Sequence, residues 1–303
     1  MNRLVAIVGS TGIGKSQLAL RLAQTFDGEI VSADSRQVYR YMDIGTAKPS
    51  LEKLSLVPHH LINIVNPDEN FSLAQYQQLA YRAIDDIQQC NKLPLLVGGS
   101  GLYVWAVLEG WTIPRVPPDL EFRRSLEEKA AKAGKDELYQ ELVRVDPIAA
   151  QRIDQRNVRR VIRALEVHRG TETPLVQHKE APPFKTLVIG LTADRAELYR
   201  RIDLRVDEMV TQGLVEEVKR LVNMGYDLSL PAMSGIGYKQ IGLYLKGELT
   251  LGDAIQQIKS ETHRFVRHQY NWFRLKDDRI QWFNIQNKVD QEITALITKF
   301  IGG

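Results

Sequence analysis

The stretch "LVAIVGSTGIGKSQLALRLAQTF" (residues 4–26) decides the fold. Leu4–Val8 is an unbroken apolar run, the pattern of a strand covered on both faces of a parallel sheet. Glycines follow at once, and "KSQLALRLAQTF" then returns apolar residues at helical spacing. The turn between them, Gly9, Ser10, Thr11, Gly12, Ile13, Gly14, Lys15 and Ser16, fits G-x-x-x-x-G-K-[ST]. That pattern arises by chance in roughly 1% of chains of this length, and its place between strand and helix lowers the odds further. In such a loop the backbone N–H groups and the helix N-terminus face an anion. Lys15 adds a point charge, and Ser16 can reach a magnesium ion. The loop therefore binds phosphate, without saying which molecule carries it.

Working outward, "EIVSAD" (29–34) reads as a second strand, and "LPLLVGGSG" (93–101) as a third that breaks into glycines. Ser72 with Gln75 forms a capping-box signal for a helix running to about residue 91. This alternation predicts an α/β fold: a doubly wound parallel sheet of the P-loop type, with ligands at the C-terminal ends of its strands. The rhythm changes at "IPRVPPDL" (113–120), and residues 119–169 carry only helical, heavily charged patterning. A second proline-bearing connector, "TPLVQHKEAPPF" (173–184), leads to strand-like "KTLVIGLTA" (185–193) and "RIQWFNI" (279–285). The expected organisation is a core in two parts, 1–115 and 185–303, the latter ending in basic helices, with a helical insertion at 116–184.

The chain has 303 residues, 44% apolar and 25% charged, with a net charge of +3. So small a net charge means that partners must be read from where the charges lie. Residues 151–170 hold six arginines against Asp154 and Glu166, and Arg152, Arg156, Arg159, Arg160 and Arg163 recur at helical spacing. Residues 259–274 hold Lys259, Arg264, Arg267 and Arg274 against Glu261. Two basic patches on an otherwise acidic chain suggest a polyanion, with solvated helix faces as the plainer alternative. Tyr270, Trp272 and Phe273 in the second patch read more readily as core packing than as stacking platforms. Cys90, the only cysteine, excludes an internal disulfide and a multi-cysteine zinc site. The apolar run at the N-terminus is too short for a signal peptide or membrane span, so a cytoplasmic protein is expected.

Two further residues could do chemistry. Asp34, at the end of the second strand, suits a magnesium ligand, a base for a substrate proton, or a turn cap. Ser100, after paired glycines, could donate to a phosphate or leaving-group oxygen, or cap the following helix. Adjacent His59 and His60 are poor metal ligands together, because neighbouring side chains diverge. "NKVD" (287–290) matches a guanine-reading motif, yet no aspartate has glycine three residues later, as a GTPase switch requires.

These segments together resemble the tRNA dimethylallyltransferases, also called tRNA isopentenyltransferases. Besides the glycine loop, the likeness rests on "SADSRQVYRYMDIGTAKP" (32–49), "VPHHLI" (57–62), "LLVGGSGLYV" (95–104) and "NVRRVIRALEV" (157–167). It continues through "RIDLRVDEMVTQGLVEEV" (201–218), "GIGYKQ" (235–240) and "RHQYNWFR" (267–274), so it spans nearly the whole chain. Ser10 stands where the family often has proline, Ser100 where it has threonine, and Asp154 and Gln155 where histidine and proline are frequent. Without the zinc finger of many eukaryotic members, the chain resembles the shorter bacterial form. The resemblance implies that the loop holds dimethylallyl diphosphate, with Mg²⁺, rather than a nucleotide to be hydrolysed. It implies prenylation of the exocyclic amine of the adenosine 3′ of the anticodon. Asp34 would then be the base, Ser100 the leaving-group donor, and Arg205, with Arg201 second to it, a diphosphate clamp. Ser35, Arg36 and Gln37 would read the nucleotide, while Arg123, Arg159, Arg160, Arg163, Arg267 and Arg274 would hold tRNA. A monomer is expected. The rivals are an adenylate isopentenyltransferase, a small-molecule P-loop kinase and a GTPase.

Overall fold

The computed structural model describes residues 2–114, 116–132, 134–171, 179–287 and 289–303. In chain order its first elements are β1 (Arg3–Gly9), α1 (Lys15–Thr25), β2 (Gly28–Ser32), α2 (Leu51–Leu56), β3 (His59–His60), α3 (Leu73–Gln89), β4 (Leu93–Gly98) and α4 (Gly101–Leu108). Four helices follow: α5 (Leu120–Lys132), α6 (Lys135–Val145), α7 (Pro147–Arg152) and α8 (Val158–Thr171). The remainder is β5 (Lys185–Thr192), α9 (Arg195–Thr211), α10 (Leu214–Asn223), a 3₁₀ turn at Ala232–Ser234, α11 (Tyr238–Leu245), α12 (Leu251–Trp272), β6 (Ile280–Asn284) and α13 (Asp290–Gly302). Two compact units result, Met1–Glu109 with Ala181–Gly303, and Gly110–Glu180.

The first unit is built on one parallel sheet of order β3-β2-β4-β1-β5-β6. β1 lies inside it, with Val5 opposite Leu95 on one side and Leu187 on the other. Leu4 to Val8 are fully buried, as a strand covered on both faces must be. α1 buries Leu18, Ala19, Leu22 and Ala23 on one face. The capping box at Ser72 is present, with Ser72 and Gln75 exchanging bonds at the start of α3.

This strand order has a functional consequence. β2, β4 and β1 are consecutive neighbours, so the loops leaving their C-terminal ends lie side by side. Those loops carry Asp34, Ser100 and Lys15. The second strand is shorter than its sequence suggests and stops at Ser32. Ala33 still donates to Val97 at 2.8 Å, but Asp34 then turns the chain by accepting the N–H of Arg36 at 2.8 Å.

Among the described residues the regular elements of the second unit are all helices, and its core gathers Leu126, Leu138, Leu142, Val161, Ile162 and Leu165. Its two ends meet, with Glu180 donating to the Gly110 carbonyl at 2.9 Å and Trp111 bridged to Lys179. Gly110 has φ 58°, and a Cβ there would sit 1.9 Å from the Glu180 carbonyl oxygen. Arg115 and residues 173–178 of the two proline-bearing connectors lie outside the described residues.

Candidate active site

The glycine loop is shaped by Gly12 and Gly14, at φ 77° and 99°, values that side-chain-bearing residues rarely adopt. Lys15 folds back on its own loop, donating to the carbonyls of Gly9 at 3.0 Å and Ser10 at 2.8 Å. Burial pushes its ammonium down to about 7, with Asp34 opposing the shift and Arg205 adding to it. Arg205, reaching in from α9, is itself lowered by burial and held partly by Asp34. Its Nη1 comes within 3.5 Å of the Thr11 hydroxyl. Arg201 pairs with Glu197 at 2.7 Å. Of the two clamp candidates, Arg205 reaches the Thr11 side of the loop and Arg201 lines the cavity bordered by Ile13 and Gly14. Two half-buried cations beside a ring of backbone donors can hold an anion.

Asp34 uses one carboxylate oxygen to cap its turn, taking the N–H groups of Arg36 at 2.8 Å and Gln37 at 3.4 Å. The other oxygen has no hydrogen bond among the described residues. So the turn-cap role is real, and it leaves half of the carboxylate for a substrate. Ser100 occupies the N-cap position of α4, yet its side chain makes no capping bond. Its hydroxyl instead accepts the N–H of Ser35 at 3.0 Å and donates to the Ser35 hydroxyl at 3.3 Å. The paired glycines are required by contact. A Cβ on Gly98 would lie 2.1 Å from the Ala33 carbonyl oxygen, and one on Gly99 would lie 2.4 Å from Gln269 Nε2.

Arg36 and Gln37 are committed to the fold. Arg36 donates to the carbonyls of Pro231 at 2.8 Å and Ala232 at 3.3 Å. Gln37 donates to Thr46 and Ala47 at 3.3 Å each and accepts from the Ser32 hydroxyl. Of the three residues expected to read a nucleotide, only Ser35 keeps its side chain within the site.

Two residues escaped the sequence reading. Glu217, on α10 and only 2% exposed, accepts the N–H groups of Asp43, Ile44 and Gly45 and the hydroxyl of Tyr238. It thereby holds the loop whose carbonyls anchor Gln37. Gln269, on α12 and 4% exposed, accepts from Thr11 N at 2.9 Å and donates to the Gly99 carbonyl at 2.9 Å. Both lie in segments quoted for the resemblance, but a buried glutamate or glutamine on a helix carries no spacing signal of its own.

A family model described as IPP transferase matches residues 37–276. The chain belongs to the IPP transferase family. It is 50% identical over 300 residues to the tRNA dimethylallyltransferase of Dehalococcoides mccartyi, covering 98% of this chain and 92% of that one. It is 53% identical over 273 residues to the enzyme of the same name from Roseiflexus castenholzii, covering 89% of each. Among solved structures, the tRNA isopentenylpyrophosphate transferase of Bacillus halodurans aligns with a TM-score of 0.73 at 40% identity, covering 100% of this chain and 96% of that one. A eukaryotic dimethylallyltransferase acting on tRNA aligns with a TM-score of 0.81 at 26% identity, covering 100% and 80%.

In this IPP transferase the arginines of the helical unit divide into two groups. Arg123 and Arg163 both bind Glu166, which is 2% exposed, and Arg163 also donates to the Val116 carbonyl. Their first task is to neutralise a buried carboxylate, and they hold Glu166 below the usual carboxylate range despite its burial. Arg156 pairs with Asp154 at 2.9 Å. Arg159 and Arg160 are exposed and make no ion pair among the described residues. On α12, Arg267 is exposed and donates to the Tyr199 hydroxyl at 3.0 Å, and Arg274 is exposed just beyond the helix. The aromatics beside them pack inward. Phe273 is 1% exposed, and Trp272 lies where a Cβ on Gly101 would meet its ring at 2.2 Å.

The remaining sequence signals are structural. His60 pairs with Glu29 at 2.7 Å, and His59 bonds the Val57 carbonyl. Asn287 and Asp290 of "NKVD" line a cavity of about 640 Å³ beside the glycine loop, where Asp290 pairs with Arg21 at 2.8 Å. Lys288 lies outside the described residues. Among the described residues no helix is long and apolar enough to cross a membrane.

Proposed function

We propose that this protein transfers a dimethylallyl group from dimethylallyl diphosphate to the exocyclic amine of the adenosine 3′ of a tRNA anticodon. The observation that carries the reading is an unengaged Asp34 oxygen on the turn that Ser100 grips through Ser35, beside the half-buried cations Lys15 and Arg205. The named relatives and the tRNA-acting neighbour support the same substrates.

The chemistry follows from the parts. An adenine amine is a poor nucleophile, because its lone pair is delocalised into the ring. Asp34 accepts a hydrogen bond from it and takes its proton as the new C–N bond forms. The C–O bond to diphosphate breaks with its electron pair leaving on the bridging oxygen, to which the Ser100 O–H donates on rotating away from Ser35. Lys15, Arg205 and the loop amides hold the departing diphosphate. Mg²⁺ fits the site through Ser16, exposed at the start of α1. Among the described residues no cluster of three acidic, histidine or cysteine side chains could hold a metal alone, so substrate oxygens and water would complete its shell. When bound it would neutralise charge on the leaving group. The adenine reaches Asp34 only when splayed out of the anticodon loop, which costs little in single-stranded RNA.

Arg159 and Arg160 are proposed to meet the phosphate backbone, with Arg267 and Arg274 as further contacts. Ser35 is proposed to touch the acceptor nucleotide. A tRNA acceptor places the work in the cytoplasm, and a monomer supplies every residue named. The test offers labelled dimethylallyl diphosphate in parallel to unmodified tRNA and to AMP. Label on tRNA alone supports the reading. Label on AMP alone assigns the protein to the free-nucleotide reaction instead.

A further inference from the structure

We infer that Gln269 is a positioning residue, a two-ended strut that fixes the distance between the diphosphate loop and the hydroxyl that assists departure. The inference rests on the prenyl-transfer reading above. Its basis is one buried carboxamide with both ends engaged. Oε1 accepts the N–H of Thr11, inside the glycine loop, and Nε2 donates to the carbonyl of Gly99, immediately before Ser100.

The neighbours fix which end is which. Thr11 presents a backbone donor, so it must face the oxygen, and Gly99 presents an acceptor, so it must face the nitrogen. No other side chain of this length is both donor and acceptor at neutral pH. The strut is seated from both sides. A Cβ on Gly99 would lie 2.4 Å from Nε2 and 3.5 Å from Lys15 Nζ, so the carboxamide shares one small space with the loop lysine. One turn along α12, the Trp272 carbonyl accepts from Trp105 on α4, which holds the helix that Ser100 begins. α12 therefore grips the diphosphate loop and the Ser100 turn together. A carbon–oxygen bond that breaks between those two loops is sensitive to their separation.

The test compares wild type with Gln269→Met and Gln269→Glu in steady-state transfer of label to tRNA. Folding is checked by thermal melting. Methionine keeps the volume and removes both bonds. We expect kcat to fall about 10- to 100-fold, with tRNA affinity within about twofold of wild type. Glutamate gives the sharper readout. As a carboxylate it accepts from Thr11 but repels the Gly99 carbonyl, whereas the protonated acid donates to it again. The activity of Gln269→Glu relative to wild type, measured at each pH, should therefore rise as pH falls from about 8 to about 5.5. With the melting temperature of the variant unchanged over that range, the recovery reports positioning and not stability of the fold. A wild-type kcat for Gln269→Met, or a flat ratio for Gln269→Glu, would overturn the inference. If Gln269→Met does not fold, the pH ratio decides alone. A wild type that transfers label to AMP but not to tRNA would instead overturn the functional reading beneath it.

Discussion

The Ser100 hydroxyl accepts the backbone N–H of Ser35 at 3.0 Å, tying the turn after β4 to the residue that follows Asp34. The proposed proton acceptor and leaving-group donor are thus linked by one contact between two neighbouring strand ends. Ser100→Ala should lower kcat with little change in tRNA affinity, by about 2–4 kcal/mol in barrier. Ser100→Thr keeps the hydroxyl and should remain active. Steady-state kinetics on both variants checks this, and an inactive Thr variant would mean that the pocket cannot take one more methyl.

Asp34→Asn retains an oxygen to accept from Arg36 and Gln37, so the turn should survive. What is lost is the proton acceptor. We expect kcat to fall about 100-fold or more while the melting temperature barely moves. A change confined to the magnesium requirement would make Asp34 a metal ligand instead.

Lys15 gives a pH dependence with a definite sign. In the free protein it titrates at about 7, whereas in the unfolded chain it holds its proton to about 10.5. Between those values the unfolded state binds more protons, so for this group the stability of the free protein rises with pH. A bound diphosphate favours the ammonium form, so binding draws a proton onto Lys15, and affinity should fall as pH climbs above 7. Calorimetry of inorganic diphosphate binding in two buffers of different ionisation enthalpy should show greater proton uptake for wild type than for Lys15→Met. Equal uptake would remove Lys15 from the diphosphate.

The arginines separate by what they touch. Arg159→Ala with Arg160→Ala should weaken tRNA binding and flatten its salt dependence by about one unit per lost phosphate contact, with stability unchanged. Arg163→Ala should lower stability, because it strips one partner from the buried Glu166. Filter binding across a salt series, alongside urea unfolding, distinguishes the two. A double variant with wild-type salt dependence would take the pair out of the RNA interface.

Much of this was legible in the sequence, for physical reasons that also mark where legibility stopped. An apolar run ending in glycines, then a helix, left the sheet and its phosphate loop little alternative. Asp34 and Ser100 stood out because each follows a strand, where a doubly wound sheet presents ligands. β2 ends two residues before the apolar pattern suggests, because the Asp34 side chain sets the turn by accepting the N–H of Arg36. Within the arginine stripe, helical spacing allows Arg163 to pair with Glu166, as it does, but spacing cannot show that Glu166 is buried or that it also claims Arg123. Gln269 and Glu217 act through pairings 258 and 172–174 residues away in sequence, which no local pattern encodes.

Glu217 offers a check on the loop it organises. Glu217→Ala would leave three part-buried amides and the buried Tyr238 hydroxyl without their acceptor, costing about 3 kcal/mol or more. Tyr238→Phe, which removes one bond, should cost about 1–2 kcal/mol. Urea unfolding measures both, and equal losses would mean that the carboxylate is replaced by another acceptor.

The central claim is prenyl transfer to one tRNA adenosine, and the product tests it most directly. Unmodified tRNA is incubated with the protein, Mg²⁺ and dimethylallyl diphosphate, then digested for mass spectrometry of the anticodon fragment. The account predicts a single dimethylallyl group on the exocyclic amine of the adenosine 3′ of the anticodon, with one diphosphate released for each group transferred. An unmodified tRNA fragment, with the group found on added AMP or with ATP consumed in its place, would contradict it.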